Sequence, residues 1–341
     1  MPLTTVSQGL LSTDAQYTGF KNRIINGDMT ISQRNGTSSV TVTDTGGTTY
    51  TLDRWFAFGT VASRFSVQQN AGSVTPPVGF TNYLGATSLS AYSVLSGDNF
   101  QLTQRIEGFN TADLNWGSAN AQSVTISFWV RSSLTGTFGG SLRNDSATRS
   151  YPFSYTISAA NTWEYKTITI AGDTTGTWNT TNAIGIGLTF NLGSGASFSG
   201  TAGAWANGDL RSSTGAVSVV GTNGATFFLT GVQLERGNVA TSFDVLPYGT
   251  ELALCERYYQ KLGNFYFSAY NTTGEPTGCA LIFKTEMRTA PTVAYGSISG
   301  TNYYGTTIDD ITTASYRAYS LASGNGRLFF GMGNVTGSAE L

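Results

Sequence analysis

Alternation of large apolar residues with small or polar ones recurs along this chain. It is clearest where Ile184, Ile186, Leu188, Phe190 and Leu192 share one register and Gly185, Gly187, Thr189 and Asn191 the other. A period of two puts successive side chains on opposite faces of a strand, so the pattern predicts a strand with one face on a core. Val124, Ile126, Phe128 and Val130 repeat it within 123–130, and similar runs occupy 64–68, 100–107, 163–170 and 226–235. The stretches between, such as 44–47, 172–176 and 221–224, are rich in Gly, Asn, Asp and Ser, which tolerate turn dihedrals. Many short strands joined by such turns predict an all-β fold, a jelly-roll β-sandwich.

The period changes after Leu246-Pro247-Tyr248-Gly249. Leu252, Cys255, Tyr259 and Leu262 recur at spacings of three and four and predict one helix over 250–262. Thr250 would cap it, Glu251 would face the positive end of its dipole, Lys261 the negative end, and Gly263 would stop it. Beyond it, 278–287, 291–298, 315–321 and 327–335 read as four strands of a second, small β domain. The predicted organisation is an attachment segment over 1–19, the jelly roll over 20–245, and the helix plus small β domain over 246–341. All six tryptophans lie between 55 and 205, which gives the larger domain the Trp-bearing core and loops. The C-terminal part holds more aromatic surface than a domain of that size encloses alone. Tyr258, Tyr259, Phe329 and Phe330 are therefore candidates for a subunit interface. The chain shows no internal repeat, which disfavours solenoids and propellers.

Composition sharpens the picture. Only 11% of the 341 residues are charged, against roughly 25% in an ordinary globular protein, so the surface is covered by Ser, Thr, Asn, Gln and Gly. With a net charge of −2 and no Lys/Arg cluster, neither nucleic acid nor an anionic lipid surface is an expected partner. No basic leader opens the sequence and no long apolar run crosses it, so neither a signal peptide nor a membrane insertion is predicted. Synthesis in a cytosol combined with an exterior-type surface suits a product assembled in a cell and released by lysis, as a virus particle is. Cys255 and Cys279 are expected to be reduced, buried small hydrophobes, with a single bridge between them as the other reading.

The chain has no histidine, which removes the commonest general base, the commonest transition-metal ligand and every Ser-His-Asp or Cys-His arrangement. No Gly-rich phosphate loop is present and two cysteines cannot build a zinc site. What survives is a carboxylate pair, the requirement of a glycosidase. Asp53, Asp98, Glu107, Asp113, Glu164, Asp173 and Asp209 are available, but spacing brings no two together, and a protein without catalytic activity is expected. Hard oxygen ligands such as Asp28, Asp98 and Asn99 could hold a structural calcium in a turn, with Asp28 as the metal candidate, although no EF-hand spacing supports it. No other cofactor is indicated. Sugar binding needs an aromatic platform with polar neighbours, and Trp116, Trp178 and Trp205, each in a polar or Gly-rich stretch, are the glycan-binding candidates. Lids on the sandwich core are the competing reading. Trp55, Trp129 and Trp163 lie within strand patterns and are expected to be core or half-buried.

Five segments carry a family resemblance. They are Phe20-Lys21-Asn22-Arg23-Ile24-Ile25-Asn26-Gly27-Asp28-Met29 followed by Ile31-Ser32-Gln33-Arg34; Tyr50-Thr51-Leu52-Asp53-Arg54-Trp55; Thr162-Trp163-Glu164-Tyr165-Lys166 with Gly172-Asp173-Thr174-Thr175-Gly176-Thr177-Trp178; Phe227-Phe228-Leu229-Thr230-Gly231-Val232-Gln233-Leu234-Glu235-Arg236-Gly237; and Gly249-Thr250-Glu251-Leu252-Ala253-Leu254-Cys255-Glu256-Arg257-Tyr258-Tyr259, with a similar ending at Gly337-Ser338-Ala339-Glu340-Leu341. Together they resemble phage virion proteins of the tail-fibre type. The resemblance implies a carbohydrate-binding-module-like jelly roll, a small C-terminal fibre domain, a homotrimer and no catalytic residues. It also implies a calcium between the Asn-Gly-Asp turn and an acidic closing strand, where this chain has Gly231-Val232-Gln233. The function expected is that of a virion surface protein, a tail-fibre or receptor-binding subunit contacting host cell-surface polysaccharide, joined through its N-terminus to other tail or baseplate proteins. The alternatives are a capsid-decoration or head-fibre protein and a glycan depolymerase.

Overall fold

A computed structural model describes residues 21–341, so the segment 1–19 and Phe20 lie outside the described residues. The chain divides into two compact units, one ending at Leu246 and the other beginning at Pro247.

The first unit is an all-β jelly-roll sandwich of two antiparallel sheets. The six-stranded sheet runs, edge to edge, through Val40–Thr41, Phe65–Gln69, Leu84–Ser88, Thr226–Arg236, Val124–Ser132 and Glu164–Ile170. The seven-stranded sheet runs through Ala206–Asn207, Arg149–Ile157, Gly136–Arg143, Ile184–Ser194, Asn99–Glu107, Trp55–Gly59 and Thr49–Tyr50. The alternation dictates which side chains meet between them. Val124, Ile126, Phe128 and Val130 from one sheet, and Ile186, Leu188, Phe190 and Leu192 from the other, are almost fully buried in one continuous core. Aromatic rings fill its centre at edge-to-face angles: Phe128 stands 5.0 Å from Tyr155 and 4.9 Å from Phe190.

The stretch around Asn26 closes this sandwich. Arg23 N–H donates to Leu234 O (2.9 Å), and Val232 N–H to Gly27 O (2.9 Å), so the start of the unit is laced to its closing strand. Asn26, fully buried, donates to Ile31 O and Asp53 O and accepts from the Ile31 N–H, while Trp55 Nε1 donates to Asn26 O. Three separate segments, around residues 26, 53 and 232, thereby meet.

The outer faces of the two sheets differ. That of the seven-stranded sheet is polar but covered: Thr103, Ser141 and Thr189 are buried, Ser212 and Ser213 lie over Gly139, and the Arg211 guanidinium sits 5.4 Å from the Phe58 ring. The outer face of the six-stranded sheet carries an aromatic cluster of Tyr83, Trp163 and Phe228 and is partly open.

In the second unit the helix spans Tyr248–Glu256, shorter than the predicted 250–262, and its N-cap is Pro247, not Thr250. The chain then enters a strand, Tyr259–Asn271, paired with Gly326–Ser338. Pairing with that strand overrides the helical spacing of Tyr259 and Leu262, and Gly263 is a bulge at φ 87°, not a helix stop. The expected strand over 291–298 is two, Thr292–Ala294 and Ser297–Thr301, and Tyr303–Asp309 is an additional strand. The unit holds a core of its own around Phe283, Met287, Tyr316, Leu328, Phe330 and Met332. Both cysteines are free; Cys255 is buried, whereas Cys279 is exposed because its strand, Pro276–Ile282, is an uncovered sheet edge.

Replacing Phe128 by Ala removes a ring in contact with two others at the centre of the first core. We expect Phe128→Ala to lose about 3–5 kcal/mol in denaturant unfolding, and a loss under about 1 kcal/mol would contradict this account of the core.

Candidate functional site

The short turn 112–114 is followed by Asn115 in a left-handed conformation (φ 54°), which turns Trp116 back onto the end of the sandwich. The loop 172–178 brings Trp178 alongside, and the chain entering Ala206–Asn207 brings Trp205. The three sequence-predicted residues thus meet, although they are far apart in the chain. Trp116 stands 4.7 Å from Trp178 and 5.2 Å from Trp205, and Trp178 stands 5.4 Å from Trp205, all between 76° and 79°. Trp116 is only 9% exposed and Trp178 and Trp205 are half-buried against the core. Their indole N–H groups donate to the backbone carbonyls of Gln122 (2.7 Å), Thr175 (3.2 Å) and Ala171 (2.7 Å). The void between Trp116 and Trp178 is about 10 Å³, so the rings are packed against one another.

Beside this cluster lies an open depression of about 550 Å³, lined by Thr148, Arg149, Thr177 and Asn207 among others. Its base is a forked ion pair: Arg149 Nε and Nη2 each donate to Asp173 at 2.8 Å, and Arg149 Nη1 donates to Asn207 Oδ1 at 2.8 Å. Gly176 makes this possible, since at φ 78° its Cβ would stand 2.6 Å from Arg149 Cγ. Burial pushes the Asp173 carboxyl up, but the Arg149 guanidinium and the Thr175 N–H and hydroxyl outweigh it and hold the group below the usual carboxylate range. Arg149 is in turn held more firmly protonated, chiefly by its hydrogen bonds to Asp173. The Asn207 amide NH₂ and the Thr177 hydroxyl meet no protein partner among the described residues and face the depression.

The other carboxylates are engaged in holding loops. Asp53 accepts from Gln33, Asp98 from Thr60, Tyr92 and Leu95, and Asp113 from Arg23 in a fork. Glu164 accepts from Ser158, Ala159 and Lys166, and Asp209 lies between Arg143 and Arg211. Glu107 is buried. Asp28 accepts from the Thr30 N–H and hydroxyl of its own turn. The side chain of Gln233 on the closing strand donates to Glu235 Oε1 (2.8 Å), presenting an N–H where a cation would need an oxygen lone pair. No group of three or more acidic or thiol side chains suited to a metal exists among the described residues. The Asp28 carboxylate is committed to its own turn.

Of the interface candidates, Phe330 is fully buried in the C-terminal unit's own core, and Tyr258 is fully buried as well. Tyr259 and Phe329 are half-buried, Phe329 stacked on Tyr266 at 5.9 Å and 11°. The aromatic residues that face solvent there include Tyr248, Tyr266, Tyr270, Tyr295 and Tyr304, together with the aliphatic Ile282.

One residue expected to be core or half-buried packing proves to line a surface groove. Trp129 is half-buried on the outer face of the six-stranded sheet, paired with Tyr165 on the neighbouring strand at 5.4 Å. The signal was in the alternation itself: with Val124, Ile126, Phe128 and Val130 directed inward, Trp129 falls on the outward register.

No protein-family model matches the chain, and none of the curated proteins matches it. Among solved structures, the chain is similar to the enzymatically active domain of tailspike protein 4 of bacteriophage CBA120, at 14% identity and a TM-score of 0.31 over 54% of this chain and 19% of that one. It is also similar to a sugar-binding protein, so described, of Bacteroides thetaiotaomicron (12% identity, TM-score 0.36, 64% of this chain and 100% of that one). A third is a family 11 carbohydrate-binding module of Clostridium thermocellum in complex with a mixed-linked tetrasaccharide (13% identity, TM-score 0.28, 61% and 100%). The chain thus spans about a fifth of the tailspike chain's length.

The direction of the Asp173 shift sets a pH dependence. Its folded pKa lies below the unfolded value of about 4, so its contribution is complete above that value and is lost as pH falls through the folded pKa. Asp173→Asn should cost about 2–3 kcal/mol at pH 7 and progressively less on acidification below pH 4. An unchanged pH–stability curve in the variant would contradict the role of this pair.

Proposed function

We propose that this protein is a virion surface component, a tail-fibre or receptor-binding subunit, whose jelly roll holds host cell-surface glycan without cleaving it. The observation that carries the reading is the open depression over Arg149 and Asn207, with the tryptophan cluster as its rigid edge. An amide NH₂ and a hydroxyl without protein partners, above a locked guanidinium–carboxylate fork, offer directional hydrogen bonds to sugar hydroxyls. Such a fork costs little to hold in place at the moment of binding, because it is already ordered. A surface of Ser, Thr, Asn and Gly adds polar contacts with almost no net field, which suits a neutral ligand better than an anionic one.

The same residues support contact over cleavage. A glycosidase needs two carboxyl groups facing each other across the scissile bond, about 5–9.5 Å apart and free to exchange protons. Asp53, Asp98, Asp113, Glu164, Asp173 and Asp209 each hold a loop or an ion pair instead. In this reading the segment 1–19 joins the protein to other tail or baseplate proteins. The C-terminal unit assembles a homotrimer through Tyr266, Tyr270 and their exposed neighbours.

Labelled protein should be retained on envelope polysaccharide of the host and should block adsorption of the phage. Asn207→Ala/Thr177→Ala should weaken retention about tenfold, that is by about 1.4 kcal/mol, with unfolding unchanged. Failure of the intact protein to bind host cells defeats the receptor role, and release of reducing sugar defeats the non-catalytic one.

A further inference from the structure

The six tryptophans differ in one respect. The indole N–H of Trp55 donates to Asn26 O (3.0 Å), that of Trp163 to Thr75 O (2.9 Å), and those of Trp116, Trp178 and Trp205 to the carbonyls given above. Trp129 alone has an N–H with no protein acceptor among the described residues. The Trp129 indole N–H is not among the buried unpaired atoms, so it opens to the groove, where water or a ligand can accept from it. Trp129 lines an open groove of about 380 Å³, within the roughly 300–1,000 Å³ of small-molecule sites.

The groove is built, not incidental. Trp129 and Tyr165 are cross-strand partners and form one wall, with Tyr165 44% exposed. Phe80 and Phe243, 5.1 Å apart at 70°, form the other. Between them the register of the closing strand slips from Thr230 to Gln233, with Gly231 at φ 60°. A Cβ on Gly231 would stand 2.6 Å from Phe80 Cζ, so only glycine lets that ring lie against the strand. Ser127, 2% exposed, lines the floor, and its hydroxyl also lacks a protein partner among the described residues.

We propose that this groove is a stacking subsite for a neutral pyranose ring of a glycan. Its lining carries aromatic faces, unpaired N–H and O–H groups and no charged side chain. A purely apolar occupant would leave the Trp129 and Ser127 donors unmade, and the Lys21 ammonium at the rim is already engaged by the Ser242 carbonyl. A sugar ring suits this lining, with C–H groups against the indole and phenol faces and hydroxyls that accept from Trp129 Nε1 and hydrogen-bond with the Ser127 hydroxyl. The proposal rests on the glycan-contact reading but not on the depression over Arg149.

The test is titration of the whole protein with short neutral oligosaccharides of glucose, galactose and mannose, read by tryptophan fluorescence and by the Trp129 indole N–H resonance. Binding should shift that resonance. Trp129→Ala should weaken binding about tenfold or more, and Trp129→Phe, which keeps a ring and removes only the N–H, should fall between it and the unaltered protein. Thermal unfolding should be unchanged in the Phe variant. If Trp129→Ala binds as well as the unaltered protein while Asn207→Ala/Thr177→Ala binds more weakly, the groove is not the subsite and the glycan reading stands. If the unaltered protein binds no glycan, both fall.

Discussion

The structure depends on pairing most of its buried polar groups in a chain of which only 11% is charged; Tyr155 Oη, Ser141 Oγ and Tyr316 Oη are among the exceptions. Folding two sheets face to face takes hundreds of backbone groups and many Asn, Gln, Ser and Thr side chains out of water, and each unpaired one is costly. The solution is local and repeated. Asn26 ties three segments at once, Gln233 holds Glu235 and the following turn, and the Arg149–Asp173 fork fixes a loop. Where a tryptophan covers the edge of the core, its N–H is given to a carbonyl.

That constraint separates structural residues from available ones. At the tryptophan end the three rings use their edges on one another and their N–H groups on the backbone, so they make a rigid cap, and the free donors belong to Asn207 and Thr177 beside it. On the outer face of the six-stranded sheet the balance is reversed: Trp129 and Ser127 are enclosed enough to be well placed but lack partners. The corresponding face of the seven-stranded sheet lies under the chain around Ser212 and Ser213. The candidate carboxylates follow the same logic: Asp53, Asp98, Asp113, Glu164, Asp173 and Asp209 each hold a loop or an ion pair.

The C-terminal unit meets a different problem. Its core is small, and the strands Tyr259–Asn271 and Pro276–Ile282 carry exposed Tyr266, Tyr270 and Ile282, because thin sheets have more faces than one short chain can cover. Tyr258 and Phe330 are needed inside, so the aromatic residues free for another chain are others of the same stretch.

The sequence by itself determined the sandwich. Its period of two names Ile186, Leu188, Phe190 and Phe128 as core residues, and its lack of histidine removes imidazole chemistry, because both follow from local geometry and side-chain chemistry. It even held the outward register of Trp129. Tertiary structure alone decided that Trp116, Trp178 and Trp205 meet, that 259–271 is a strand, and which donors remain unpaired. Those outcomes depend on partners distant in the chain, such as Gly326–Ser338 for the strand and the Thr230–Gln233 bulge that seats Phe80. No local pattern encodes them, since hydrogen-bond saturation is a property of the whole assembled fold.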